Sequence, residues 1–181
     1  MSRYGVFARS HAAPSSSPWT AWLRERWQRI RHELGELEVF GENLYAIHSI
    51  RYSQLDSHFF VFAIRDADRW LSWEEVVFYT RLLDFDTVPQ LALCNQPFTA
   101  DQVQGQVKAL AGQPSVFGSV DALTGFPCSR EGIVSRNADG FPVAQFANNV
   151  FKYVRSGHVQ TDEHWTRHWQ RAPLRAERRT V

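Results

Sequence analysis

Five charged side chains sit inside segments that otherwise read as apolar β-strands, a pattern few folds accommodate. Glu42 lies in Val39-Phe40-Gly41-Glu42-Asn43-Leu44-Tyr45, and Glu131 opens Glu131-Gly132-Ile133-Val134. Lys152 stands between Phe151 and Tyr153, Arg155 follows three residues on, and Arg9 closes Phe7-Ala8-Arg9. A charge buried without compensation costs several kcal/mol. Each of these, taken alone, reads more simply as an edge-strand charge facing water. Taken together, two carboxylates and three cations make a set that a nucleotide phosphate with a divalent metal would use. Cations would meet the phosphate, and carboxylates the ribose or the hydrated metal.

The remaining pattern mixes strands with a few helices. Arg3 to Ser10 alternates loosely as a strand, and a Pro/Ser loop runs from Pro14 to Pro18. Ser17 reads as an N-cap before Pro18, and Gly35 as the close of the same helix. Between them Trp19, Trp22, Leu23, Trp27, Ile30 and Leu34 form an apolar stripe, with Arg24, Arg29 and Arg31 on the solvated face. Leu37 to Ile50 reads as strand interrupted at Gly41, and the apolar run Phe59 to Ile64 as a buried strand. Ser72 with Glu75 and Thr99 with Gln102 are capping boxes that start two further helices. Glu131 to Arg136, the turn Asn137 to Gly140 and Phe141 to Phe146 predict a β-hairpin. A strand follows from Val150 to Arg155, and a short helix is expected after Asp162. The fold class is α+β.

Bulk properties narrow the function. The 181 residues carry a net charge of +1, so the chain is no polyelectrolyte for nucleic acid. Its 7 Trp and 13 Phe serve a core first, although aromatic rings also stack on bases. Of 20 basic residues only Lys108 and Lys152 are lysines. Arg suits phosphate because its planar fork binds two oxygens at once. Cys94 and Cys128 stand apart, against a disulfide framework or zinc cluster. No apolar run spans a bilayer and the start lacks a signal-peptide core, so a cytoplasmic protein without a membrane partner is expected.

The ordered segments Gly41-Glu42-Asn43-Leu44-Tyr45-Ala46-Ile47-His48-Ser49-Ile50, Phe59 to Ile64, Glu131-Gly132-Ile133-Val134 and Lys152-Tyr153-Val154-Arg155 resemble the motifs of the covalent nucleotidyltransferases. Within that superfamily the chain is most similar to ATP-dependent RNA ligases, the branch of phage nick-sealing enzymes and their bacterial relatives. The ending His158 to Trp165 resembles the bacterial branch. The similarity runs from Arg9 to about Trp169.

The resemblance implies an adenylation domain over residues 1–172, ATP-grasp-like, with antiparallel sheets and flanking helices, followed by an Arg-rich solvated tail at 173–181. It implies ATP or AMP and Mg²⁺ (or Mn²⁺) as cofactors, and RNA ends or a nicked RNA duplex as partner. By position, Glu42 would contact the ribose hydroxyls and Phe62 would stack on the adenine. Glu131 would help hold the metal, Lys152 would neutralise the α-phosphate, and Arg9 would bind near the phosphates. Arg155 either replaces a second lysine, whose place Val154 occupies, or binds RNA. Ala63 stands where relatives often carry Asp.

The nucleophile is the departure. Relatives place it in Lys-x-Asp-Gly ahead of the Arg-Ser that matches Arg9-Ser10, and no lysine precedes Arg9 here. The expectation is a domain cut short before that motif and missing its first strands. The alternative is a non-catalytic nucleotide- or RNA-binding relative, and a DNA ligase or capping enzyme fits the Gly41–Ile50 stretch less well. Of His158, His164 and His168, the last two lie four apart and would share a helix face, but no third ligand stands in clear register for zinc.

Overall fold

The structure is a computed structural model that describes residues 1–8, 13–95, 97, 99–155 and 169–178. Its strands are β1 (Leu37–Asn43), β2 (Ile50–Tyr52), β3 (Phe59–Asp66), β4 (Arg69–Trp70), β5 (Asp86–Thr87), β6 (Ser119–Asp121), β7 (Gly132–Arg136), β8 (Phe141–Pro142) and β9 (Val150–Val154). Its helices are α1 (Ala21–Ile30), α2 (Trp73–Leu82), α3 (Ala100–Ala111), and the single turns α4 (Phe146–Asn149) and α5 (Arg175–Arg178). The α+β class holds: pairing is antiparallel except where β5 runs parallel to β3. Two compact units form, each from separated stretches of chain.

The first unit holds Met1–Tyr45, Ser57–Val88 and Asn137–Asn149. Its sheet runs β1-β3-β4-β8, with β5 on β3. Val39, Phe59, Val61 and Ile64 bury into one cluster with Leu23, Val76 and Leu83 of the helical segments. Helix α1 begins after a 3-10 turn at Pro18–Thr20 with Ser17 as its N-cap, and it ends at Ile30, a turn earlier than its apolar stripe. The chain then tightens through Glu33 N–H to Ile30 O, and Gly35 takes φ +54°, so Leu34 is still buried. Arg24 is not simply solvated: its guanidinium donates to Ser15 O at 2.9 Å and to Thr20 Oγ1 at 2.7 Å. The expected strand at Arg3–Ser10 is reduced, among the described residues, to isolated bridges at Ser2–Gly5 and Phe7–Pro14.

Both capping boxes form. Glu75 N–H donates to Ser72 Oγ at 3.2 Å while Ser72 N–H donates to the Glu75 carboxylate at 2.8 Å. Thr99 and Gln102 repeat the exchange at the start of α3. The predicted 131–146 hairpin does not form. β7 pairs with β9, and β8 pairs with β4. Phe141 is 4% exposed, and Val143 N–H and Ala138 O bond to Asp68 O and Trp73 N–H. Burial of that aromatic ring outweighs the local turn signal, and Pro142 lacks the N–H a second hairpin strand would give.

The second unit holds Ala46–Asp56, Pro89–Arg136 and Val150–Val181. It contains the β2–β6 and β7–β9 pairs, with α3 packed on β7. Residues 173–178, part of the stretch where the sequence suggests a solvated tail, are placed on this unit. Leu174 bridges the fully buried Leu55, Arg175 N–H donates to Leu55 O at 2.7 Å, and Arg175 pairs with Asp56 at 2.9 Å. No helix among the described residues is long and apolar enough to cross a membrane.

Candidate functional site

Glu42 and Phe62 belong to the first unit, and a β-bulge decides how Phe62 leaves the sheet. The β1–β3 register runs Val39–Ile64 and Phe40–Ala63, then Gly41–Val61, Glu42–Phe60 and Asn43–Phe59, so it skips Phe62. One extra residue on β3 lets Val61 and Ile64, three apart, both reach the core, which strict alternation forbids. Phe62, which the register leaves without a cross-strand partner, falls on the opposite face in line with Phe60, and Phe60 is the residue that pairs with Glu42. Phe62 is 38% exposed, in a run that the sequence reads as wholly buried. Glu42 is exposed as well.

Gly41 is needed beside this pair. A Cβ there would fall 2.7 Å from two ring carbons of Phe59, whose ring lies across the glycine. The Gly-Glu dipeptide therefore couples a packing demand on one face to a carboxylate on the other. Further along the outer face, Arg65 lies over Phe40 and Trp70 at 6.0 and 5.9 Å and pairs with Glu38. A cleft of about 190 Å³, lined by Met1, Ser2, Tyr4, Phe7, Glu38 and Phe40, opens there. It is smaller than a pocket that encloses a whole nucleotide, which takes about 300 Å³ or more.

Glu131, Lys152 and Arg155 belong to the second unit. β7 and β9 pair as Gly132–Val154, Ile133–Tyr153, Val134–Lys152, Ser135–Phe151 and Arg136–Val150. Arg155 N–H donates to Glu131 O at 2.9 Å, which sets these two residues opposite each other. Lys152 is exposed and shares the face of Val134 and Val154, whereas Arg155 falls on the face of Tyr153. The structure thus brings Glu131 and Arg155 together and puts Lys152 on the other side of β9 from Arg155. Gly132 permits the close approach: a Cβ would meet the Tyr153 carbonyl and lie 3.1 Å from Val154 Cα.

Nearby, the Asp121 carboxylate accepts the Thr124 and Leu123 N–H groups at 2.8 and 3.0 Å and is held below the usual carboxylate range by these bonds, the Thr124 N–H foremost. Sequence reasoning passed over Arg136. Its signal is the 150–154 pairing, since only against that strand does Arg136 share a face with Lys152. Arg9 lies outside the described residues, as do His158, His164 and His168 and the helix expected after Asp162.

Residues 1–154 match the family model for RNA ligase, and the chain belongs to the RNA ligase family. Searches of curated proteins and of solved structures found no match.

Proposed function

We propose that this chain is the adenylate-handling part of an ATP-dependent RNA ligase, joining RNA 5′-phosphate and 3′-hydroxyl ends through adenylated intermediates. The observation that carries the reading is the RNA ligase match over residues 1–154, within which Glu42 and Phe62, each exposed, lie on the same side of the sheet. On this reading Phe62 gives adenine a flat apolar surface, and Glu42 accepts from the ribose hydroxyls. In the second unit Lys152 neutralises the α-phosphate as pyrophosphate leaves, and Arg155 contacts RNA. Arg9 serves the phosphates as well.

Glu131 is the residue to hold Mg²⁺. Among the described residues no three His, Cys, Asp or Glu side chains gather around a point where a metal could sit. A single carboxylate still fits Mg²⁺, which keeps several waters and takes substrate phosphates as ligands. When bound, the metal would supply charge neutralisation at those phosphates.

The first chemical step needs a nucleophilic lysine. Lys108 lies on α3 and Lys152 on β9, and neither precedes Asp-Gly. The chain therefore binds ATP without becoming covalently labelled. The test is incubation with labelled ATP and Mg²⁺ followed by a denaturing gel, beside an equilibrium binding measurement. A label lost on Lys108→Ala or Lys152→Ala overturns the assignment of these lysines, and failure to bind ATP overturns the function. The second reading is a non-catalytic nucleotide- or RNA-binding relative. That reading requires that the chain binds its ligands yet never seals RNA, even with a lysine-bearing segment supplied in trans.

A further inference from the structure

Helix α2 turns one stripe into the core and leaves a second uncovered. Val76, Thr80 and Leu83 are buried, and at 3.6 residues per turn Phe78 stands opposite them. Phe78 is 62% exposed and Leu82, one turn on, 63%. A lone apolar residue at a surface needs no explanation, but two on adjacent turns form a continuous patch. Phe78 is also held in place, its ring edge-on to Tyr79 with the centroids 5.3 Å apart. A contact that orients the ring in advance lowers the entropy lost on association. Beside Phe78 lie Glu74 and Arg81, both exposed. Neither side chain makes a hydrogen bond or ion pair among the described residues. Their signs suit the helix dipole, acid in the first turn and base in the last, but the dipole gives no reason for the apolar pair beside them.

These charges select the partner. Along the helix axis Glu74 sits about 6 Å to one side of Phe78 and Arg81 about 4.5 Å to the other, and both fall on the same flank. When two copies of α2 pack antiparallel with Phe78 against Phe78, two-fold symmetry sets Glu74 of each copy beside Arg81 of the other. Leu82 then lies over the first turn of the second helix. The face is complementary to itself, whereas the free Glu74 and the nearby Glu75 would repel RNA phosphates. We propose that α2 is a homodimer contact, in which a second copy of this chain docks antiparallel through Phe78 and Leu82 with two reciprocal Glu74–Arg81 ion pairs. The contact does not rest on the nucleotide reading above. A single helix pair falls short of the roughly 1,200 Å² that begins the standard range of interfaces, so the dimer is weak and concentration-dependent.

Sedimentation equilibrium of the full chain over a concentration series tests this, with circular dichroism as the check on folding. The unaltered chain should show a reversible monomer–dimer equilibrium with a Kd of about 10–100 μM, in keeping with a small transient interface. Phe78→Ala removes the central ring from both copies and should weaken association at least about tenfold. Glu74→Arg alone, or Arg81→Glu alone, sets like charges together at both ion pairs and should weaken it about fivefold. Mixing those two variants places Arg against Glu at both contacts and should restore association, as should the two changes made in one chain. A chain that stays monomeric up to about 1 mM overturns the proposal. So does a dimer that survives Phe78→Ala unchanged, or a mixture that associates no better than either variant alone.

Discussion

Phe62 owes its exposure to a packing conflict on its own strand. Val61 and Ile64 are both fully buried, and the register can satisfy both only by turning Phe62 out with one extra residue. A side chain held this way is only partly covered. Phe62→Ala should cost about 1–2 kcal/mol of unfolding free energy, against about 3–5 kcal/mol for truncating a buried Phe. It should weaken adenosine about tenfold, in keeping with the loss of one base–aromatic stack. Paired thermal-shift and binding measurements decide this, and a variant that unfolds without losing adenosine would refute it. Gly41 gives the complementary case. Gly41→Ala pushes a methyl group against the Phe59 ring and should cost about 1–3 kcal/mol in chemical denaturation. The interruption at Gly41 is legible in the sequence, but its cause is not, because Phe59 reaches it only across the strand pair.

At the scale of elements, α2 shows what local chemistry can dictate. Ser72 and Glu75 close the capping box, and Arg69 binds both Glu75 oxygens at 2.9 Å. The Arg69 bonds first, and then the Ser72 N–H, draw the Glu75 carboxyl from 4.5 down to about 2. A carboxyl with a depressed pKa in the folded chain stabilises it wherever the unfolded group is ionised. Its contribution is complete above pH 4.5 and is lost as pH falls toward about 2. The stability advantage of the natural chain over Glu75→Gln should therefore shrink through that window, as measured by denaturation at stepped pH. A difference constant with pH would refute the assignment. The capping boxes were readable because every participant lies within a few residues. The 131–146 hairpin was misread because its turn residues are equally local, while the partners that prevail, Val150–Val154 for β7 and Arg69–Trp70 for β8, are not.

For the whole molecule, the candidate residues divide between two units, Glu42 and Phe62 in the first and Glu131, Lys152 and Arg155 in the second. Each unit draws on distant stretches of chain, so its stability depends on segments that look dispensable in sequence. Removal of residues 174–181 deletes the Leu55–Leu174 bridge and the Arg175–Asp56 pair. Hydrogen exchange should then speed up around Leu55 at low and high salt alike. A loss confined to RNA binding, abolished by salt, would assign the segment to nucleic acid instead. The sequence by itself determined the family, the α+β class and the capping boxes, and it offered Glu42, Phe62, Glu131 and Lys152 as candidates, since these are matters of order, short spacing and side-chain type. Tertiary structure alone decided which strands pair, that a bulge turns Phe62 outward, and that Arg136 instead of Arg155 shares a face with Lys152. Those outcomes depend on register and burial between residues far apart in the chain, where one residue of slip moves a side chain to the opposite face.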